Sequence, residues 1–100
     1  MSIPTTGWSN KGGTGERACA CGTWKQHWIT FSRSTWPAQC SVLNCSSKPT
    51  VGGHVINKSV VGERIVPMCD SCNKLSGTLT LKNGVSVPSA NKADTCEKGN

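Results

Sequence analysis

Bulky side chains recur at helical spacing between Trp24 and Phe31: Trp24, His27, Trp28 and Phe31 stand at i, i+3, i+4 and i+7, one face of a helix. Thr23 is a suitable N-cap and Gln26, three residues on, completes a capping-box pattern. The helix is expected to end near Ser32 to Ser34, because the residue before Pro37 is pushed away from helical angles. Short apolar runs at Val51 to Ile56 and Glu63 to Met68 read as strands, with the paired Gly52 and Gly53 permitting a bulge or a close backbone approach and Pro67 marking the end of the second. Farther on, Thr78 to Lys82 and Val85 to Pro88 alternate on either side of Asn83-Gly84, a strong two-residue hairpin signal. Residues 1 to about 17 carry Pro4, Gly7, Gly12, Gly13 and Gly15 among polar side chains and show no apolar period, so they read as a flexible leader, with residues 18–100 as a single domain. Trp8 interrupts that leader. It reads as a plug packing back on the domain, against a binding role.

The cysteines give this pattern a centre. Cys40 and Cys45 form one close pair, Cys69 and Cys72 another, and His54 lies between them. Short loops of this kind bring two sulfurs within about 4 Å, and a tetrahedral Zn2+ ion joins the two pairs. Placing Cys69 just before a helix that runs toward Gly77, and Cys72 in its first turn, aims both thiolates at the ion near a helix N-terminus. With one Phe, no Tyr and four Trp in 100 residues the core is modest. A structural zinc adds apparent stabilisation on the order of 10 kcal/mol, so the metal-free chain is expected to be partly or wholly unfolded.

Cys19, Cys21 and Cys96 leave three readings open: buried or free thiols, a second zinc site with His27, or a redox pair. His27 itself reads first as a buried, hydrogen-bonded histidine, and its aromatic stripe as core in preference to a base-stacking platform.

Eleven Lys plus Arg against five Asp plus Glu leave a net charge of +6, a balance that favours polyanions such as nucleic acid. The charges are scattered, which argues against a basic tail and leaves a folded positive face open. No charged start with an apolar run opens the chain, and nothing approaches the roughly 18 apolar residues of a membrane span. Seven cysteines without a leader fit a reducing compartment, and a cytoplasmic monomer is the expectation.

A cysteine knuckle, a hairpin with a histidine on its first strand, and a second Cys-x-x-Cys opening a helix together resemble the treble-clef zinc finger, and more narrowly the cysteine-bearing HNH (ββα-metal) endonucleases. The match spans about residues 40–77. It implies an α+β fold with a zinc-stapled ββα core, here flanked by an N-terminal aromatic helix and a C-terminal β-hairpin. It also implies a general-base role for His54 in phosphodiester hydrolysis, a Mg2+ or other divalent ion at the leaving oxygen, Asn73 at a metal-binding position, and Arg64 and Lys74 on phosphate. Gly53 stands where the family carries a metal-binding carboxylate, and Asn73 where it carries a histidine. For His54 the alternatives are a hydrogen bond across the hairpin or a place as zinc ligand beside three cysteines. Three function classes follow: a nucleic-acid-binding zinc module, an active HNH-type nuclease, and a protein-interaction module using Trp8 and the tail.

Overall fold

The computed structural model describes residues 4–11 and 23–90. In chain order the elements are β1 (Trp8–Asn10), α1 (Trp24–Ser32), β2 (Val51–Asn57), β3 (Val60–Met68), α2 (Asp70–Asn73) and β4 (Thr78–Leu79). The strands form one four-stranded antiparallel sheet in the order β3-β2-β1-β4. The protein is thus a small α+β fold, and among the described residues no helix is long and apolar enough to cross a membrane.

Helix α1 forms where its stripe predicts. Thr23 is the N-cap, its hydroxyl accepting from Gln26 N at 3.1 Å, and Arg33 in the left-handed conformation ends the helix. His27 and Trp28 are buried, whereas Phe31 is exposed. Both buried rings are also tied to the segment after Gly84: Trp28 Nε1 donates to Ser86 O at 2.9 Å and His27 Nε2 lies 2.7 Å from Ser89 O. The middle of the stripe, His27 and Trp28, is therefore core, while Trp24 is half-buried and Phe31 exposed at its two ends.

The helix can rest on the sheet because Gly52 has no side chain. A Cβ there would lie 2.6 Å from the carbonyl carbon and oxygen of Trp24 and 2.9 Å from Lys25 N, all backbone atoms that cannot rotate away. Gly52→Ala should therefore lift the start of α1 and destabilise the protein by about 1–3 kcal/mol. An unchanged thermal midpoint for that variant would refute the contact.

Burial lowers the His27 pKa from 6.5, with the Ser89 carbonyl acting in the opposite direction. A depressed folded pKa means that the unfolded chain binds the proton first. The contribution of His27 is then complete above pH 6.5 and is lost as pH falls through the lower folded value. Denaturant titrations at saturating zinc should show wild type losing more stability than His27→Gln between neutral pH and about pH 5. Parallel losses would remove His27 as the cause.

Four features differ from the sequence expectation. First, Trp8–Asn10, inside the expected leader, is a sheet strand lying between β2 and β4. Trp8 is fully buried and donates through Nε1 to Pro4 O at 2.8 Å, so it is a core plug and is unavailable to a protein partner. Second, β3 begins at Val60, three residues before the expected Glu63, and runs through Pro67 to Met68 as expected. Proline is tolerated because β3 is the end strand of the sheet. Third, the C-terminal hairpin does not form as a ladder. The Asn83-Gly84 turn is present, with Gly84 at φ 81°, but its arms go to different partners. Thr78 and Leu79 pair with β1, and Leu81 bridges Val42. Beyond the turn, Ile65 N donates to Pro88 O at 3.0 Å and Ala90 N to Glu63 O at 2.9 Å, which covers part of the outer edge of β3. Leu79, Leu81 and Val87 enter the core, and their burial outweighs the local pairing. Fourth, α2 is a single turn and stops well before Gly77.

Candidate metal centre

The knuckle that carries Cys40 and Cys45 is a tight loop held to the end of β3. Cys40 N donates to Ser47 O at 2.8 Å, Ser41 N to Pro67 O at 3.0 Å, and Cys45 N back to Val42 O at 3.1 Å. Asn44 makes the reversal at φ 68°, a left-handed conformation that asparagine accepts more readily than most residues. Lys82 Nζ then donates to Cys45 O at 2.7 Å and fastens the outer end of the loop.

The second pair sits at the start of α2. Cys69 is the N-cap in extended conformation, and its Sγ accepts from Cys72 N at 3.4 Å. Cys69 N donates in turn to Cys40 Sγ at 3.4 Å, so backbone N–H groups already point at sulfurs of both pairs. Asn10 of β1 reaches across the chain: its Nδ2 donates to Cys72 O at 2.8 Å and to Leu75 O at 2.9 Å. Asn10 Nδ2 shares Cys72 O with Leu75 N, and the segment ends in the tighter Lys74 N to Ser71 O and Leu75 N to Cys72 O bonds, with Asn10 capping its last carbonyls.

The four Sγ atoms of Cys40, Cys45, Cys69 and Cys72 all lie within 4.8 Å of one another, with Cys45 to Cys69 at 3.8 Å. A tetrahedral ion with Zn–S bonds of about 2.3 Å separates its sulfurs by about 3.8 Å, so the cluster needs little adjustment to close on zinc. Among the described residues this is the one group of three or more His, Cys, Asp or Glu placed to hold a metal. His54 is not part of it, so the set is four sulfurs with no imidazole. Cys40, Cys69 and Cys72 are buried, and Cys45 is half-buried.

The electrostatics fit a cation-binding set. Burial pushes the Cys40 thiol up, and burial together with the neighbouring sulfurs pushes Cys72 up. Cys45, accepting a backbone hydrogen bond from Ser47, is lowered to about 7. Crowded sulfurs resist sharing negative charge among themselves; a divalent ion at their centre removes that resistance and deprotonates them. The arrangement can therefore bind a metal ion with four thiolates.

The remaining candidate residues divide. His54 on β2 and Asn73 at the end of α2 come together, lining one cleft of about 360 Å3 with Thr23, Trp24, Lys25, Thr50, Val51 and Gly52. His54 is 4% exposed, and its ring meets Trp24 edge-on at a centroid distance of 4.3 Å. Among the described residues no carboxylate lines the cleft. A carboxylate at the Gly53 position would require Asn73 and Met68 to shift, because a Cβ there would lie 2.9 Å from Asn73 Oδ1 and 2.9 Å from Met68 Sδ.

Arg64 is not brought to this cleft. It pairs with Val55 in the β2/β3 register, one position from His54 and so on the opposite face, and its guanidinium donates to Val61 O at 2.9 Å and Val87 O at 3.4 Å. Lys74 forms an exposed i,i+4 ion pair with Asp70 at 3.0 Å. Lys25, which the sequence reading did not single out, is the cation that lines the cleft. Its place in the first turn of α1, beside the capping Thr23, was the available signal. Cys19, Cys21 and Cys96 lie outside the described residues, as do the three readings attached to them.

No family model, curated protein or solved structure matches the chain. What the geometry establishes is a four-cysteine cluster able to hold a metal ion.

Proposed function

We propose that the protein is a small zinc-binding module of treble-clef type that binds nucleic acid as a monomer. The observation that carries the zinc reading is the approach of four sulfurs to within 4.8 Å of one another, from a knuckle and a Cys-x-x-Cys turn joined by a β-hairpin. The net charge of +6 supports a polyanionic partner. So does the carboxylate-free cleft, which Lys25 and Trp24 both line, with the Lys25 ammonium 5.0 Å from the centre of the neighbouring Trp36 ring.

A second reading, an HNH-type metal-dependent nuclease, is favoured by one observation: His54 and Asn73 line the same cleft. It is the weaker reading, because a catalytic Mg2+ is normally held through carboxylate oxygens and a carboxylate at the Gly53 position would require Asn73 and Met68 to shift.

The test begins with the metal content of the purified protein by native mass spectrometry, where one zinc per chain is expected. Fluorescent DNA and RNA oligonucleotides are then titrated at rising salt, and affinity should fall steeply. Lys25→Glu should weaken binding at every salt concentration. Plasmid nicking with Mg2+, Mn2+ or Ni2+ that disappears in His54→Ala would move the protein to the nuclease class. Absence of binding at low salt would end the nucleic-acid reading and leave the zinc result standing.

A further inference from the structure

The four sulfurs of the cluster are not equivalent. Cys40, Cys69 and Cys72 are 0%, 6% and 7% exposed, while Cys45, at the outer end of the knuckle, is open to solvent on one side. A thiolate bound to zinc remains nucleophilic, and an oxidant reaches the sulfur it can approach. Cys45 Sγ is therefore the point of entry. Cys69 Sγ lies 3.8 Å from it, in the other half of the site and 24 positions along the chain.

We infer that Cys45 is a peroxide-modification site whose oxidation is resolved by Cys69, exchanging the zinc staple for a disulfide. This rests on the zinc reading above. In the first step Cys45 Sγ attacks one oxygen of hydrogen peroxide; the O–O bond breaks, hydroxide leaves, and the sulfur becomes a sulfenic acid while the peroxide is reduced. In the second step the Cys69 thiolate attacks Cys45 sulfur, the S–O bond breaks, and a second hydroxide leaves as the S–S bond forms. Across the two steps one electron pair passes from the two thiolates to the peroxide: the sulfurs end joined in the S–S bond, and both oxygens leave as hydroxide. Zinc, left with Cys40 and Cys72, is released.

The exchange has a structural consequence. The ion joins knuckle to helix turn, and a Cys45–Cys69 bond joins the same two segments. The oxidised protein should therefore keep its sheet after zinc has gone, unlike protein stripped by a chelator.

The test uses the full chain purified in its zinc-bound form and treated with hydrogen peroxide. A chromophoric chelator reads zinc release, and proteolytic mapping under non-reducing conditions reads the cross-link. Expected are release and appearance of a Cys45–Cys69 peptide pair at matching rates, retained β-sheet circular dichroism, and rebinding of zinc after dithiothreitol. Cys45→His, which keeps a zinc ligand at that position, should release zinc about tenfold or more slowly. Release accompanied by any other cross-link, or by none, overturns the inference whether or not the variant folds. Equal release rates in a folded Cys45→His protein do the same. Absence of zinc from untreated protein is a different result: it removes the metal reading on which the inference stands.

Discussion

Cys72→Ser is expected to abolish stoichiometric zinc binding and leave most of the protein unfolded at 25 °C. A structural zinc site contributes on the order of 10 kcal/mol of apparent folding free energy. Domains of this size have net stabilities of only about 5–15 kcal/mol, so the site carries most of the margin. Cys72 is 7% exposed, sits in the one-turn α2, and belongs to the same buried cluster as Cys40, Cys69, Val66 and Met68. Serine there removes a soft ligand and leaves a hydroxyl among apolar side chains. Stripping the wild type with a chelator should give the same circular dichroism spectrum, and restoring zinc should reverse it. Acidification acts in the same direction, since protons compete with the metal for every sulfur. Cys45→Ser should do less damage, because Cys45 lies at the edge of the cluster and is half-buried. A Cys72→Ser protein that melts cooperatively at the wild-type midpoint would show that the cluster is not what holds the fold.

Trp8→Ala should cost about 3–5 kcal/mol, the second largest loss foreseen here. Trp8 is fully buried, opposite Asn57 on β2 and Leu79 on β4, so its indole fills the sheet centre where β1 joins the two. Truncation opens a cavity between both neighbours and leaves Pro4 O without the Nε1 donor at 2.8 Å. Trp8→Phe, which retains most of the volume but not the donor, should lose a fraction of that amount. Urea denaturation at saturating zinc separates these effects from metal loss. A midpoint within error of wild type for Trp8→Ala would return residues 8–10 to the leader.

The features legible in the sequence are those whose cause is local. Ligand pairs a few residues apart declare the metal centre, and Cys40, Cys45, Cys69 and Cys72 do converge. A cap and an aromatic stripe declare α1, whose N-cap is Thr23 as expected. What stayed hidden depends on partners far along the chain. Asn83-Gly84 reports that the chain reverses, but not that Leu79 finds β1 and Leu81 finds Val42. The three residues of β1 are too few for a period, and only their neighbours make them a strand. The end of α2 has a distant partner too, since the side chain of Asn10 caps its last carbonyls. At the cleft, His54 and Asn73 do lie together, but the contacts of the Gly53 position with Asn73 and Met68 exist only in three dimensions.

The two bonds from Asn10 to the Cys-x-x-Cys turn span 62 and 65 positions. β1 comes before α1, yet the strands on both of its sides and the turn it clamps come after α1 in the chain. Closing contacts of such high sequence separation is slow, because the entropy of the intervening loop is spent before the contact returns anything. Metal capture by the two cysteine pairs would shorten that search by fixing the turn that Asn10 must find. Docking of the N-terminal strand is then expected to follow the ion; refolding started by adding zinc should show the fluorescence change of Trp8, taken as the difference between wild type and Trp8→Phe, lagging behind metal uptake.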